Sequence, residues 1–407
     1  MMNDPPEARA DHASGGSIWA KKMPEGGRRL DFDLGEESRA IHHMARAFGR
    51  DHIAPHARQW ERDGTIPRDL WTRAAALGLG GLYVPDDMGG TGLSRLDGTL
   101  VFEGLAMACP ATASFLSIHN MVAGMVARHA TPDLRAAWLP SLCSMQSIAA
   151  YCLTEPGSGS DASALRTKAV NGSNGWHLTG TKAFISGGGY ADLYVVMARS
   201  GGEGPRGISA YLVQAGATGL SFGGLEDKMG WRAQPTRAVQ MDACPAVLLG
   251  DEGKGFTYAM AGLDGGRLNI AAAALGGAQA AFDATLAYMG DRKAFGQPLT
   301  DFQALQFRLA DMETRLQSAR VFLRQAAWKL DAAATDATRH CAMAKLMVTD
   351  AAFDVANQCL QLHGGYGYLA DYGIEKIVRD LRVHQILEGT NEIMRVIIAR
   401  SLLDPQR

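Results

Sequence analysis

The chain has 407 residues, of which 47% are hydrophobic and 20% charged, a balance typical of a globular protein with two or three domains. Its 40 basic and 42 acidic side chains leave a formal net charge of -2, which predicts no general attraction to nucleic acid or to an anionic membrane. The most apolar run, Leu268 to Phe282, is too short to span a bilayer.

The N-terminal residues 1–33 are rich in proline, glycine and polar side chains, and we predict that they form a disordered leader. This segment contains acidic residues, which a mitochondrial transit peptide avoids, and it lacks the apolar core of a signal peptide. The six cysteines of the chain form no C-x-x-C pair, which favours small buried residues in a reducing compartment. These features together predict a cytoplasmic location.

Residues 34–146 show the apolar period of amphipathic helices and predict an all-helical domain. Ile41, Met44, Ala45 and Phe48 form its first apolar stripe. Glycine- and proline-containing breakers such as Cys109-Pro110 separate the successive helices.

Residues 147–252 consist of short β-rich runs separated by turn residues, and they predict a second domain. Asn171-Gly172 and Asn174-Gly175 predict a hairpin turn between two of these runs. Because no long helical pattern lies between the runs, an antiparallel sheet or small barrel is favoured over βαβ units.

Residues 253–407 return to the helical period with longer elements. The predicted long helices are Phe256 to Met289, Phe302 to Leu330 and Thr338 to Leu362, and a last helix follows Thr390. Such helices pack as antiparallel neighbours in a four-helix bundle. The predicted fold class is therefore mainly α with a β domain: an N-terminal helical domain, a middle antiparallel barrel-like β domain and a C-terminal four-helix bundle.

Two glycine-rich stretches imitate phosphate-binding loops. Gly157 to Ala162 is a formal G-x-G-x-x-A, but that fingerprint needs a helix directly after the loop, and Ala164 to Val170 has the pattern of a strand. Gly250 to Gly255 lacks the spacing of a P-loop. Neither stretch predicts a nucleotide site of these two kinds.

A single carboxylate near the C-terminus is a candidate for acid–base chemistry. Glu388 follows the apolar pair Ile386-Leu387 and precedes Gly389-Thr390, where Thr390 is the predicted N-cap of the last helix. Turned into a pocket, this carboxylate would lose hydration, have its pKa raised and be suited to act as a general base. Turned outwards, it would be an ordinary loop glutamate, and the stretch by itself leaves both interpretations open.

Six motifs, in their order and spacing, resemble the acyl-CoA dehydrogenase family over roughly residues 34 to 403. They are Thr154-Glu-Pro-Gly-Ser-Gly-Ser160, Phe184-Ile-Ser186, Arg292-Lys-Ala-Phe-Gly296, Leu309-Ala-Asp-Met312, Gln361-Leu-His-Gly-Gly365 and Leu387-Glu-Gly-Thr390. The family's domain order agrees with the order derived above from hydrophobic patterns. Within the family, the resemblance is strongest to the branch that acts on isobutyryl-CoA.

The resemblance implies FAD as the cofactor and no metal. The residues that would line the flavin are Tyr151, Cys152, Leu153, Thr154, Gly159, Ser160, Phe184, Ile185 and Ser186. The residues that would hold the pyrophosphate and adenine of FAD from a neighbouring subunit are Arg292, Phe302, Gln303, Gln361, Leu362, His363, Gly364 and Gly365, and those that would also touch the cofactor are Thr390, Asn391 and Glu392. A shared site of this kind implies a homo-oligomer, at least a dimer, and the family is usually tetrameric.

The resemblance also implies α,β-dehydrogenation of an acyl-CoA thioester, with Glu388 as the α-proton base, flavin N5 as the hydride acceptor and an electron-transfer flavoprotein as the final electron acceptor. The positions that would contact acyl-CoA are Ser160, Asp264, Arg267, Gly389 and Arg400. Taken as residues alone, Asp264 and Arg267 could equally be an i, i+3 surface pair, and Arg292 a helix-end cation. Some relatives carry the base immediately before the arginine that matches Arg267, but here that position is Gly266, so Glu388 is the candidate.

Departures from the family pattern bear on the substrate. Leu387 stands where several straight-chain enzymes have tyrosine, Phe184 where many relatives have tryptophan, and Ser186 where threonine is common. Phe184 and Ser186 would alter packing but keep the chemistry, whereas Leu387 would reshape the pocket beside the α-carbon and so favours a short, branched acyl group. The predicted reaction converts isobutyryl-CoA to methacrylyl-CoA in valine catabolism. The alternatives are 2-methylbutyryl-CoA or butyryl-CoA as substrate and, less favoured because of the net charge of -2, a nucleic-acid-binding flavoprotein of the same fold.

Overall fold

The computed structural model describes residues 34–403, so the predicted leader, residues 1–33, lies outside the described part of the chain. The first part is helical, as its apolar period predicts. Side-chain caps fix two of the helix starts, because Ser94 accepts a hydrogen bond from the Asp97 amide and Thr131 accepts one from the Leu134 amide. The helices are Glu36–Phe48 (α1), Ala57–Asp63 (α2), Arg68–Ala75 (α3), Arg95–Ala106 (α4), Pro110–His129 (α5) and Pro132–Cys143 (α6).

The middle part forms a seven-stranded sheet. Its strands are Ala149–Cys152 (β1), Lys168–Gly172 (β2), Gly175–Ser186 (β3), Leu193–Arg199 (β4), Ile208–Gln214 (β5), Leu220–Phe222 (β6) and Thr236–Leu249 (β7). The order is β1-β4-β2-β3-β7-β5, with β6 paired to β7. Because β4 also pairs with β5, the sheet closes into a barrel. The predicted β2–β3 hairpin is present, with Gly172 opposite Gly175. Most pairs are antiparallel as predicted, but β1 and β2 run parallel to β4, because the chain between them supplies the crossover that parallel pairing needs.

The C-terminal part is a bundle of long helices. Its elements are Gly255–Asp291 (α7), Lys293–Ala294 (β8), Gln297–Pro298 (β9), Gln303–Asp331 (α8), Ala337–Leu362 (α9), Ile374–Arg382 (α10) and Asn391–Leu403 (α11). The three long helices, α7 to α9, begin and end within about two residues of their predicted bounds, which is the usual uncertainty of helix ends. The predicted fold class is confirmed.

Helix α7 is the central element of the described structure. It is long and apolar enough to cross a membrane by length and composition, but 67% of its most apolar window is buried in the protein, which is typical of a core helix. Glycines let its neighbours approach closely, since a Cβ at Gly276 would lie 2.1 Å from the Glu103 carbonyl oxygen of α4. About a third of the way along this helix, Gly266 faces the side chain of Glu388.

The six cysteines are all buried and unpaired, as the sequence predicts. Burial raises the pKa of the Cys152 and Cys341 thiols to about 12. At neutral pH these two cysteines are therefore protonated and behave as small apolar core residues.

Candidate active site

Glu388 lies on the connector between α10 and α11, in a left-handed backbone conformation with φ of 56°. Its Oε2 atom is buried and has no hydrogen-bond partner among the described residues. Burial raises the pKa of this carboxyl to about 7, although Arg267 and Lys345 oppose the rise. A carboxylate that lacks hydration and titrates near neutrality is suited to accept a proton from a weak carbon acid.

Helix α7 leaves room for this carboxylate. A Cβ at Gly266 would lie 2.5 Å from Oε2 of Glu388 and 3.0 Å from its Cδ. Glycine therefore permits the close approach of the connector to the helix, and it supplies no competing base at this position. The interpretation of Glu388 as an ordinary exposed loop residue is wrong, because its Oε2 atom points into the protein.

Arg267 and Asp264 form a buried pair beside Glu388. Nη1 of Arg267 donates to Asp264 at 2.6 Å, and the Thr338 hydroxyl donates to the other oxygen of Asp264, also at 2.6 Å. Nε of Arg267 also donates to the carbonyl oxygen of Glu388 at 3.4 Å. Because the Arg267 and Asp264 side chains are only 5% and 12% exposed, the alternative of a surface pair is wrong. The pair fixes the connector from the side of α7.

A second set of contacts ties the connector to the β domain. The Trp231 amide donates to Asp380 at 2.7 Å, and the Trp231 indole donates to Nε2 of His384 at 3.2 Å. Nδ1 of His384 donates to the carbonyl oxygen of Ile270 at 3.1 Å, which requires the neutral tautomer protonated on Nδ1. Burial lowers the pKa of His384 to about 3, so this tautomer persists at neutral pH. The segment just before Glu388 is thus anchored to the β-domain loop at Trp231 and to α7 at Ile270.

The ends of β1 and β3 form one wall of the site. The Ala183 amide donates to the Thr154 carbonyl oxygen at 2.9 Å, which brings the Tyr151-to-Ser160 and Phe184-to-Ser186 motifs together. Phe184 is 69% exposed and adopts a φ of 58°, so its ring stands out from the strand. The Tyr151 hydroxyl is buried and unpartnered in the described structure, and both burial and the nearby Glu388 carboxylate raise its pKa. An exposed aromatic face beside unpaired polar atoms fits a flat heteroaromatic ring.

A buried ion pair lies beneath this wall. Nζ of Lys182 contacts Glu155 at 2.8 Å, and the two side chains are 0% and 7% exposed. Glu155 also accepts hydrogen bonds from the Arg166 and Thr167 amides, and Lys182 donates to the Leu153 carbonyl oxygen. The pair therefore holds the segment after β1, which contains Thr154, against the end of β3, which contains Phe184.

We expect Lys182→Met to lower the free energy of unfolding by about 3–5 kcal/mol, because it leaves the Glu155 carboxylate buried without its counter-charge. Urea denaturation followed by circular dichroism measures this change. The double variant Lys182→Met/Glu155→Gln removes the isolated charge and should recover part of the loss. An equal free energy of unfolding for Lys182→Met and the original protein would show that the ion pair does not stabilise the fold.

The predicted pyrophosphate and adenine residues form a separate cluster. A cavity of about 360 Å³ is lined by Tyr288, Arg292, Leu299, Gln361, Leu362, His363, Gly364, Gly365, Tyr366 and Leu369. The Tyr288 ring stacks on His363 at 4.3 Å, and the Arg292 guanidinium lies over the Tyr366 ring at 5.6 Å. Arg292 also follows the last residue of α7, so it is a helix-end cation as well as a cavity residue. Phe302 and Gln303 stand close by in sequence, at the start of α8.

Glu388 and the Arg292 cavity lie far apart along α7. Gly266, which faces Glu388, is the twelfth of the 37 residues of α7, and Arg292 directly follows its last residue. These two positions are separated by roughly 39 Å at 1.5 Å per helical residue. The two clusters are therefore separate sites within one chain.

The remaining predicted residues fall in different places. Gly389, Thr390, Asn391 and Glu392 continue the connector, and the Thr390 hydroxyl caps α11 by accepting from the Ile393 amide at 3.3 Å. Ser160 is exposed on the loop after β1, and Cys152 is fully buried, so Cys152 can meet a cofactor only through its backbone. Arg400 is exposed near the end of α11, nearly three turns beyond Thr390. The structure thus gathers Asp264, Arg267 and Gly389 around Glu388, but not Arg400.

Lys345 and the Trp231–His384 contact were not predicted from the sequence. Lys345 of α9 is 0% exposed, and its ammonium group donates to the Gly389 carbonyl oxygen at 2.8 Å. The available signal was a lysine within a stripe of small and apolar residues, Cys341, Ala344, Val348 and Ala352, all of which are buried. A lone cation inside such a stripe indicates a buried polar partner.

The chain matches family models over nearly its whole described length. The N-terminal, middle and C-terminal domain models of acyl-CoA dehydrogenase match residues 35–146, 150–244 and 253–403. The chain belongs to the acyl-CoA dehydrogenase family. The prediction that this protein is an acyl-CoA dehydrogenase is thereby confirmed at the family level, and FAD is the cofactor of this family.

Individual relatives agree with this family assignment. Isobutyryl-CoA dehydrogenase, mitochondrial, of Bos taurus is 50% identical over 373 residues, which are 91% of this chain and 90% of the relative. Butyryl-CoA dehydrogenase of Megasphaera elsdenii has a solved structure with a TM-score of 0.88 and 34% identity, covering 92% of this chain and 100% of that chain. PigA, solved as an FAD complex, has a TM-score of 0.88 and 28% identity, covering 92% of this chain and 99% of that chain.

Proposed function

We propose that this protein catalyses the FAD-dependent α,β-dehydrogenation of a short branched-chain acyl-CoA, with isobutyryl-CoA as substrate and methacrylyl-CoA as product, in valine catabolism. The observation that carries the proposal is the buried Oε2 atom of Glu388, which has no hydrogen-bond partner within the described residues, on a carboxyl group whose pKa is raised to about 7. A relative named isobutyryl-CoA dehydrogenase, 50% identical, supports the choice of substrate. We further propose a cytoplasmic location and an electron-transfer flavoprotein as the acceptor of the electrons.

Glu388 would serve the reaction with two of its groups. Its carboxylate would accept the α-proton. Its backbone N–H donates to no oxygen atom of residues 34–403, which leaves it free to donate to the thioester carbonyl oxygen as negative charge develops there. One oriented donor of this kind contributes roughly 3–4 kcal/mol in the transition state. When bound, FAD would supply the hydride acceptor for the β-carbon.

The wall formed by β1 and β3 would hold the flavin part of FAD. The exposed ring of Phe184 would pack beside it, and the Thr154 and Ser186 hydroxyls would donate to its edge. The backbone of Tyr151 to Leu153 and the loop from Gly159 to Ser160 would complete this wall. Because a Cβ at Gly157 or Gly159 would meet nothing within 4 Å, the loop leaves open space for a cofactor.

A second subunit would hold the other end of the cofactor. Roughly 39 Å of α7 separate Gly266, which faces Glu388, from Arg292, so the pyrophosphate and adenine would bind to the cavity of a neighbouring copy. The open Gly364-Gly365 turn and the exposed Arg292 suit an anionic group. On this basis we propose a homo-oligomer of at least two chains, with a tetramer as the expected state.

The purified holoenzyme is expected to be reduced by isobutyryl-CoA roughly tenfold or more faster than by 2-methylbutyryl-CoA, since one additional methylene in an apolar pocket changes discrimination by about 10–200-fold. Its straight-chain isomer butyryl-CoA differs in shape and not in size, and we expect it to reduce the flavin more slowly as well. Anaerobic loss of flavin absorbance in a stopped-flow instrument measures the three rates. Isovaleryl-CoA serves as a branched control with its branch one carbon further from the thioester. Similar rates with all four would reduce the proposal to a short-chain acyl-CoA dehydrogenase without branch selectivity.

A further inference from the structure

Lys345 is the cation buried directly behind the Glu388 connector. Its ammonium group donates to the Gly389 carbonyl oxygen and to Oδ1 of Asn391, both at 2.8 Å. Both partners are neutral oxygen atoms, so the charge of Lys345 is solvated by the connector itself. A buried ammonium group is costly unless it is paired or hydrogen-bonded, and this cost makes a purely space-filling role for lysine unfavourable here.

Two cationic side chains hold two consecutive carbonyl groups of the connector. Arg267 of α7 donates to the Glu388 carbonyl oxygen at 3.4 Å, and Lys345 of α9 donates to that of Gly389. Between them, Glu388 keeps its left-handed φ of 56°. A non-glycine residue persists in this conformation only where its surroundings over-determine it. The two helices thereby fix the direction in which the Glu388 side chain leaves the backbone.

Lys345 is a cation near Glu388 whose charge is not balanced by a directly bonded carboxylate of the described residues. Arg267 is already paired with Asp264, whereas Lys345 donates a hydrogen bond to no carboxylate among residues 34–403. The titratable and charged groups that face the Glu388–Lys345 pair from the packed elements are Arg267 and Asp264 on α7, Tyr151 on β1, Asp350 on α9, Glu392 on α11 and His384 on the connector. Burial lowers the pKa of Lys345 to about 7, while Glu388 acts in the opposite direction.

We propose that Lys345 is a positioning residue for Glu388: its ammonium group holds the connector in place, and its positive charge favours the ionised form of the Glu388 carboxyl group. This inference rests on the proposed role of Glu388 as the base. Lys345 does not touch the reacting atoms, and it acts through Gly389 and through its charge. The chemical step itself is the one proposed above: the α-carbon loses its proton, and the Glu388 carboxylate accepts it.

The test compares Lys345→Met, which removes the charge and both hydrogen bonds, with Lys345→Arg, which keeps the charge. The rate of flavin reduction by isobutyryl-CoA is measured in the holoenzymes from about pH 6 to 9. We expect the midpoint of the profile to move upwards by about one pH unit in Lys345→Met, because a nearby opposite charge lowers the pKa of a carboxyl by one or more units. In Lys345→Arg the midpoint should stay in place even where misfit lowers the rate.

Hydrogen exchange provides a readout that does not depend on activity. Amides in the peptide covering residues 386–393 should exchange faster in the Lys345→Met holoenzyme than in the original, while peptides from β3 should not change. Lys345→Gln, which is polar but uncharged, replaces Lys345→Met if that variant does not fold, and the same shift in midpoint is expected of it.

An unmoved midpoint in Lys345→Met or Lys345→Gln, beside a Glu388→Gln protein that no longer reduces its flavin, would overturn the Lys345 proposal and leave Glu388 as the base. Flavin reduction that survives in Glu388→Gln would overturn both. A uniform loss of rate at every pH would make Lys345 a structural residue without influence on the base.

Discussion

Replacement of Glu388 by glutamine is expected to lower the rate of flavin reduction by isobutyryl-CoA by about 10²–10⁴-fold, the range that positioned general bases contribute. Glutamine has nearly the same shape as glutamate and a backbone N–H in the same place, but it cannot accept the α-proton. Binding of acyl-CoA should change little, because Oε2 has no hydrogen-bond partner in the described structure. Stopped-flow reduction and a separate titration with substrate distinguish the two effects.

The pH profile of the original protein gives the matched control. Burial raises the pKa of Glu388 to about 7, and the active form is the carboxylate. In the free enzyme kcat/KM should therefore be low below pH 7, rise through about pH 7 and level off above it. Glu388→Asp keeps a carboxylate on a shorter side chain and should retain part of the rate. A Glu388→Gln protein with the original rate and pH profile would show that another group removes the proton.

Most of the helical part of the fold could be predicted from the spacing of the hydrophobic residues. Helices α7, α8 and α9 each carry a long apolar repeat, and their predicted ends differ from the observed ones by at most about two residues. The Gly172–Gly175 hairpin was predictable because its turn residues carry their own conformational preference. The closure of the barrel through β4 and β5 was less accessible, since it depends on the pairing of strands rather than on any one strand's pattern.

The candidate site was predictable only in part. The position of Glu388 on a connector followed from its neighbours, but the stretch left its direction open, because a side chain's environment is set by segments far away in sequence. The groups that decide it are Gly266 and Arg267, more than 120 residues earlier in the chain, and Lys345, 44 residues before Gly389. The Trp231–His384 contact spans 153 residues. No local period encodes such contacts, and the family resemblance supplied the roles that periodicity could not.

Two residues beside the site, Glu388 on the connector and Trp231 on the β-domain loop, hold strained backbone conformations. Glu388 and Trp231 both adopt positive φ angles, of 56° and 54°, and each is held by hydrogen bonds from or to buried side chains. Residues in this region cost of order 1–3 kcal/mol each, so the surrounding structure must offset that cost. The connector is held by hydrogen bonds from Lys345 and Arg267. Trp231 is held by hydrogen bonds to Asp380 and His384.

Substitution of Gly266 by alanine is expected to lower the rate of flavin reduction by about 10²-fold, the loss that a displacement of about 1 Å can cause. The new methyl group would lie 2.5 Å from Oε2 of Glu388, and the flexible carboxylate would have to move away. Because only the end of a side chain moves, the protein should fold normally. Alanine should even favour α7 by up to about 1 kcal/mol relative to glycine.

Gly262→Ala on the same helix is the matched control for this prediction. Its Cβ would make ordinary contacts with Met125 and Met121, at 3.4 Å or more, and it lies one turn away from Gly266. Both variants should gain the same helical preference, but only Gly266→Ala should lose flavin reduction. Thermal unfolding of the two holoenzymes, beside their stopped-flow rates, separates stability from catalysis. An unchanged rate in Gly266→Ala would mean that the Glu388 carboxylate can act from a displaced position, and that the close approach of α7 serves packing alone.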